Sequence, residues 1–250
     1  MNILVLGGTG LIGSIMCKAL NKHGHQTLSV GTTTYKKFII GQEVDIDLFE
    51  NMNAVIYLSW MFDSTKSNYH EINVQSLKKV LEICKSKNLE LFFISTLLAS
   101  PQAASTYNRT KGYCEELVLK HEQKIIRFGS VFISTVPYGG FYGKIYKFYK
   151  TFKFLPKIMP DKKIFFKTEL HNIETLCKDL FNYKNKIITC TNNKAVSFFE
   201  VIFNNKKIFY IPIKWELIYR ILKLLEFMNL NFGFRSDSIL SIWGENNQTQ

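Results

Sequence analysis

Tyr107-Asn108-Arg109-Thr110-Lys111 is the segment of this chain best suited to moving a proton. On a helix, a spacing of four sets the phenol and the ammonium one turn apart on one face. A cation beside a phenol favours the phenolate, so Tyr107 is expected to titrate below its ordinary range. It would then give or take a proton at a carbinol/carbonyl pair. Ser95-Thr96 ends the apolar run Leu91-Phe92-Phe93-Ile94. Either hydroxyl, Thr96 or Ser95, could hydrogen-bond the same substrate oxygen at the carboxyl edge of a sheet.

The second chemical feature is Gly7-Gly8-Thr9-Gly10-Leu11-Ile12-Gly13, placed after Ile3-Leu4-Val5-Leu6 and before a helical stretch. It reads both as G-x-G-x-x-G and as G-x-x-G-x-x-G. Glycines permit a tight turn and let backbone N–H groups approach a pyrophosphate, and the helix directs its positive end at the same point. The strand–turn–helix context is the one the motif requires. Past the next strand, where a carboxylate often holds a ribose 2′-hydroxyl, the chain has Gly31-Thr32-Thr33-Thr34 and then Lys36-Lys37. Hydroxyls and lysines suit a 2′-phosphate, which favours NADP modestly over NAD; the alternative is a solvated loop.

These residues need strands to carry them and helices to cover the strands. The apolar runs at 3–6, 54–58 and 91–94, with shorter strands at 27–30 and 124–126, alternate with helical patterns near 11–21, 67–87 and 106–121. Alternation with short links is the mark of a doubly wound parallel sheet, so the fold class expected is α/β, Rossmann-like, with a small C-terminal substrate lobe. The division expected is a nucleotide-binding domain over 1–132, a substrate lobe interleaved with the core over 133–243, and a polar tail over 244–250. In the lobe, Tyr138 to Gly143 reads as a loop. Helices are expected near 174–181 and 214–228, with strands near 187–188 and 208–211. The late helix carries Leu217, Ile221, Leu224, Leu225 and Met228 on one side. That stripe is expected to pack within the lobe, with a membrane-surface role the alternative.

Composition narrows the function classes. The chain has 250 residues, 46% of them hydrophobic, and a net charge of +12. No lysine block exceeds a pair and no nucleic-acid motif occurs, so dispersed solubilising charge is preferred to nucleic-acid binding. Cys17, Cys84, Cys114, Cys177 and Cys190 are scattered and odd in number, which argues against a disulfide framework or a metal site and suits a reducing compartment. Met1-Asn2 leads directly into a strand, so no signal peptide is expected, and no apolar run reaches the length of a membrane span.

Taken together, these motifs resemble the extended or atypical short-chain dehydrogenases/reductases of the epimerase/dehydratase branch. Gly7-x-x-Gly10-x-x-Gly13 is similar to that branch's nucleotide loop, Asn53 to Ser59 to its strand leading to the cofactor, and Asn73-Val74 to the helix position after it. Phe93 to Thr96 and Tyr107-x-x-x-Lys111 resemble the catalytic elements, and Arg127-Phe128-Gly129 the Arg-Pro-Gly segment near the nicotinamide, with Phe in place of Pro. The resemblance implies catalytic roles for Thr96, Ser95, Tyr107 and Lys111. It implies cofactor contacts from Gly7, Thr9, Gly10, Leu11, Ile12, Gly13, Thr32, Leu58, Ser59 and Phe128. Asp45-Ile46 would face the adenine and Lys111 the nicotinamide ribose. The implied function is NAD(P)-dependent oxidoreduction, epimerisation or dehydration of a sugar or nucleotide sugar, as in surface-polysaccharide synthesis, in the cytoplasm. A catalytically silent NAD(P)-binding scaffold or redox sensor is the alternative, and a homodimer is left open.

Overall fold

A computed structural model describes residues 1–135, 137–160, 165–203, 208–230 and 234–244. Its elements, in chain order, begin with β1 (Asn2–Leu6), α1 (Leu11–Lys22), β2 (Gln26–Val30), β3 (Ala54–Tyr57), α2 (Tyr69–Ser86), β4 (Glu90–Thr96), α3 (Thr106–Lys120) and β5 (Lys124–Phe128). They continue with β6 (Ser130–Val131), α4 (Gly140–Phe152), β7 (Phe154–Met159), β8 (Phe165–Thr168), α5 (Leu170–Asp179), β9 (Ile187–Cys190) and β10 (Ala195–Val196). The last are α6 (Glu200–Phe203), β11 (Phe209–Lys214), α7 (Trp215–Phe227) and α8 (Ser236–Ile239).

The central sheet has six parallel strands in the order β2-β1-β3-β4-β5-β9. β1, β3 and β4 are nearly continuous apolar segments because both faces of the sheet are covered. On one face Leu91 and Phe93 join Leu77, Val80, Cys114 and Val118 from α2 and α3. On the other, Phe92 and Ile94 join Met16, Leu20, Ile173 and Leu176 from α1 and α5. The chain leaves β1 toward β2 on one side and returns to β3 on the other. The order therefore reverses between β1 and β3, and ligands of such sheets bind in the crevice outside the strand ends at that reversal. The polar stretch after β2 forms neither a further strand nor a helix. It closes on itself, with Phe38 N–H donating to the Gly31 carbonyl at 3.2 Å and Gly31 N–H to Thr34 Oγ1 at 3.0 Å.

The second half supplies α5 and β9 to this sheet and gathers a separate aromatic core around Tyr142, Phe165, Phe198 and Trp243. β10, β8 and β6 make a three-stranded sheet, and β11 pairs with β7 in parallel. Two expectations change here. Residues 140–152, including the Phe141 to Gly143 part of the stretch read as a loop, are helix α4. Gly143 belongs in that helix because a Cβ there would lie 2.4 Å from the Tyr138 carbonyl carbon. The stripe of α7 does not pack within the lobe: Leu217, Ile221, Leu224 and Met228 are exposed, while Trp215, Ile218, Tyr219 and Leu222 turn inward. The helix is apolar on two sides and the fold uses only one.

Candidate active site

The glycine loop is built against three strand ends. Gly7 takes φ +90°, a left-handed conformation, and its N–H donates to the Val30 carbonyl at 2.8 Å. A Cβ on Gly7 would come within 2.8 Å of Ser59 N, so the end of β3 rests directly on the loop. Gly13 is closed off as well, since a Cβ there would lie 2.3 Å from the Gly7 carbonyl oxygen. Gly10 differs: its nearest neighbour would be that same oxygen at 3.3 Å, with nothing else close. Gly7 and Gly13 are thus required by the protein's own packing, whereas Gly10 faces open space. Thr9 and Gly10 are exposed and Leu11 and Ile12 half-buried at the start of α1, where no side chain caps the first N–H groups and no carboxylate sits in the first turn. Free N–H groups, a positive helix end and an unfilled position at Gly10 fit the pyrophosphate of a dinucleotide.

Around this loop, Leu58 and Ser59 each donate a backbone N–H to the Leu6 carbonyl, at 2.8 and 3.0 Å. Thr9 leans on Gly31, which leads to the exposed Thr32. Asp45 is exposed and caps a short turn of 3₁₀ helix by accepting from Asp47 N–H at 3.0 Å, and Ile46 beside it is 55% exposed. Phe128 is 2% exposed and packs in the core, so what it presents at the strand end is its backbone, whose carbonyl accepts from Leu97 N–H at 3.0 Å.

Tyr107 and Lys111, the residues expected to transfer a proton, lie on the α2/α3 face of the sheet. Alternation along β4 puts Ser95 on the side of Leu91 and Phe93, hence the side of α3, and Thr96 on the side of Ile94. Ser95 Oγ is buried without a hydrogen-bond partner, while Thr96 Oγ1 accepts from Leu98 N–H at 3.4 Å. Tyr107 is half-buried, its ring edge-on to Trp60 at 6.0 Å. Lys111 is 4% exposed; its Nζ donates to the Ile94 carbonyl at 2.7 Å and lies 3.8 Å from the centre of the Trp60 ring and 4.5 Å from that of Phe93. Desolvation lowers the Lys111 ammonium to about 7. The expected downward shift of Tyr107 is not found. Burial pushes its hydroxyl up to about 12, and the ammonium meant to offset that is turned toward Ile94 and the two rings.

The start of α3 is held from both near and far. Ser105 Oγ accepts from Asn108 N–H at 3.1 Å, the usual cap. The Asp237 carboxylate of α8 accepts from Thr106 N–H at 2.8 Å and from Tyr107 N–H at 3.1 Å. A negative group at a helix N-terminus is favourable twice over, as a hydrogen-bond acceptor and against the helix dipole.

With this geometry in view, residues 3–148 match the NAD dependent epimerase/dehydratase family. The chain belongs to that family. No curated protein matches the chain as a relative. Among solved structures, the chain resembles TunA, a NAD-dependent NDP-hexosamine 5,6-dehydratase of tunicamycin biosynthesis (TM-score 0.70, 18% identity, 86% of this chain and 85% of that one). It also resembles the UDP-glucuronic acid 4-epimerase of Bacillus cereus, solved with UDP-glucuronic acid and NAD (TM-score 0.65, 17% identity, 86% of each chain). A third is dTDP-4-dehydrorhamnose reductase of Yersinia enterocolitica (TM-score 0.68, 15% identity, 86% of this chain and 85% of that one). At these identities the likeness carries the fold.

Within this epimerase/dehydratase chain, Trp60 and Asp237 near the site went unread in the sequence, and Asn73 was read only as a helix position. Trp60 fills the space between Tyr107 and Lys111, and its Nε1 donates to Tyr69 Oη at 2.8 Å. Buried Asn73 fixes the turn after Trp60, accepting from Met61 N–H at 3.0 Å and donating to the Tyr69 carbonyl at 2.9 Å. An aromatic just past a strand reads as core, so Trp60 gave no separate signal, and nothing local marks Asp237. No group of three His, Cys, Asp or Glu among the described residues is arranged to hold a metal.

Proposed function

We propose that this member of the family is an NAD(P)-dependent epimerase, dehydratase or reductase acting on a sugar or nucleotide sugar. The observation that carries the reading is the placement of Ser95, Tyr107 and Lys111 on one face of the sheet, with the Ser95 hydroxyl buried and unpartnered. A buried hydroxyl without a partner costs stability, and a substrate oxygen would satisfy it. Nucleotide sugars are favoured as the substrate class because the similar structures include an NDP-hexosamine 5,6-dehydratase, a UDP-glucuronic acid 4-epimerase and a dTDP-4-dehydrorhamnose reductase.

The Gly7–Gly13 loop and the start of α1 would hold the pyrophosphate, with Leu58, Ser59 and the backbone at Phe128 lining the crevice and Asp45-Ile46 toward the adenine. When bound, the nicotinamide supplies hydride acceptance and return. The chain's own residues handle the proton. Tyr107, held protonated by burial at neutral pH, donates from its hydroxyl to a substrate oxygen, and Ser95 hydrogen-bonds the same oxygen. Acting in the opposite sense requires the Lys111 ammonium to leave the Ile94 carbonyl and approach the phenol. Thr96, on the other face, supports the strand end. Exposed Lys36 and Lys37 beyond β2 favour NADP over NAD. Five free, buried thiols support a reducing, cytoplasmic location.

The test is Tyr107→Phe against a panel of nucleotide sugars, followed by stopped-flow absorbance of the reduced nicotinamide. Loss of hydride transfer by ~10²–10⁴-fold with cofactor affinity nearly intact is expected. Turnover equal to wild type refutes the role of Tyr107. A panel that never reduces the cofactor gives the silent scaffold instead.

A further inference from the structure

Helix α7 presents Leu217, Ile221, Leu224 and Met228 outward, at spacings of four, three and four, which form one continuous stripe. Their exposures run from 48% to 60%, and Phe227 on the flank reaches 85%. β11, which runs directly into α7, continues the apolar surface with Phe209, 70% exposed, paired in register with Phe154 of β7. Open apolar surface of this extent on a folded chain marks a contact with something else.

The charges around it say what that is. Exposed Arg220 and Lys223 border the stripe and exposed Lys214 precedes the helix. Glu226 is drawn away, accepting from Ser236 N–H at 2.8 Å and from its hydroxyl at 2.7 Å, which leaves Glu216 as the exposed carboxylate of α7. Between Gly139 and Pro160, the segment of α4 and β7, there are five lysines (144, 147, 150, 153 and 157) and no Asp or Glu. Its Phe152, 55% exposed, lies 6.3 Å from the Phe154 ring beside β11. A second copy would bring this cationic surround against its own like charge. An anionic, partly apolar surface meets both features at once.

We propose that this face docks on the anionic surface of a lipid bilayer, with α7 lying in the interface, its outer stripe among the acyl chains and Lys214, Arg220 and Lys223 at the headgroups. An amphipathic helix bound this way draws on buried apolar area together with attraction to acidic lipids. The placement makes no use of Tyr107, Lys111 or the glycine loop, so it stands apart from the catalytic reading.

The experiment is sedimentation of the full chain with vesicles of phosphatidylcholine alone and of phosphatidylcholine mixed with phosphatidylserine. Binding to the mixed vesicles, weakening as salt is raised, is expected. Leu217→Glu/Leu224→Glu should weaken it by roughly a hundredfold, and Arg220→Ala/Lys223→Ala by roughly tenfold. All four side chains are exposed, so thermal unfolding of both variants should match wild type and show that they fold. Wild-type protein that stays in the supernatant with both vesicles overturns the proposal, as does a leucine double variant that sediments like wild type. A wild-type dimer that the same variant splits into monomers also overturns it and gives the face to a second copy.

Discussion

Replacing Lys111 with methionine should make the protein more stable near neutral pH while disabling its site. The ammonium is buried, with its ordinary value of 10.5 lowered to about 7. At about 1.4 kcal/mol per pH unit, keeping it charged inside the fold costs on the order of 4–5 kcal/mol. Methionine keeps the apolar stem and the contacts with Trp60 and Phe93, but loses the hydrogen bond to the Ile94 carbonyl, worth about 1–2 kcal/mol. The net gain at pH about 6 is therefore about 3 kcal/mol. The pH dependence carries the sign. Below about 7 the lysine is protonated both folded and unfolded, and the full cost is present. Between about 7 and 10.5 it is neutral folded and charged unfolded, so folding releases a proton and wild-type stability rises with pH. The advantage of Lys111→Met should shrink across that window, vanish near pH about 9 and reverse beyond it, where only the lost hydrogen bond remains. Urea unfolding of both proteins at several pH values measures the difference directly. A difference that stays flat with pH, or a variant less stable than wild type at pH about 6, refutes the burial argument.

The glycine loop separates packing from binding. Gly13→Ala should lower stability by about 1–3 kcal/mol, since its Cβ meets the Gly7 carbonyl oxygen at 2.3 Å, while Gly10→Ala should melt like wild type and lose cofactor affinity by tenfold or more, read by thermal scans and calorimetric titration. Asp237→Ala should cost about 1–2 kcal/mol in urea unfolding, and Asp237→Asn less because it keeps an acceptor for the start of α3. Lys36→Ala/Lys37→Ala should weaken NADP binding by roughly tenfold and leave NAD unchanged, and equal losses for both would remove the 2′-phosphate role.

What the sequence made legible was local. The loop from Gly7 to Gly13 and the pair Tyr107 and Lys111 each depend on a few consecutive residues whose spacing fixes their geometry, and the α/β alternation that frames them repeats on the same short scale. The choice between Ser95 and Thr96 stayed open because it depends on which face α3 covers. The direction of Lys111 was hidden for a related reason: helix spacing puts it near Tyr107, but the carbonyl of Ile94 and the rings of Trp60 and Phe93 decide where its ammonium rests. Helix α4 was masked by Gly139, Gly140 and Gly143, which read as loop residues until Tyr138 is seen against Gly143. For α7 the apolar pattern was plain, but a helix apolar on two sides does not reveal which one the core takes.

The carboxylate that grips Thr106 and Tyr107 comes from a residue 131 positions later in the chain. Synthesis runs from the N-terminus, so a growing chain carries Tyr107 and Lys111 out of the ribosome long before Asp237 follows. The strands and helices of the central sheet, ending with β9 at Cys190, are by then complete. Until residue 237 emerges, the N–H groups that open α3 must be satisfied by water or by Ser105 alone. The last fifth of the chain therefore acts as a latch on α3, and a ribosome that stops early leaves a polypeptide with Ser95, Tyr107 and Lys111 present and the start of that helix unclasped.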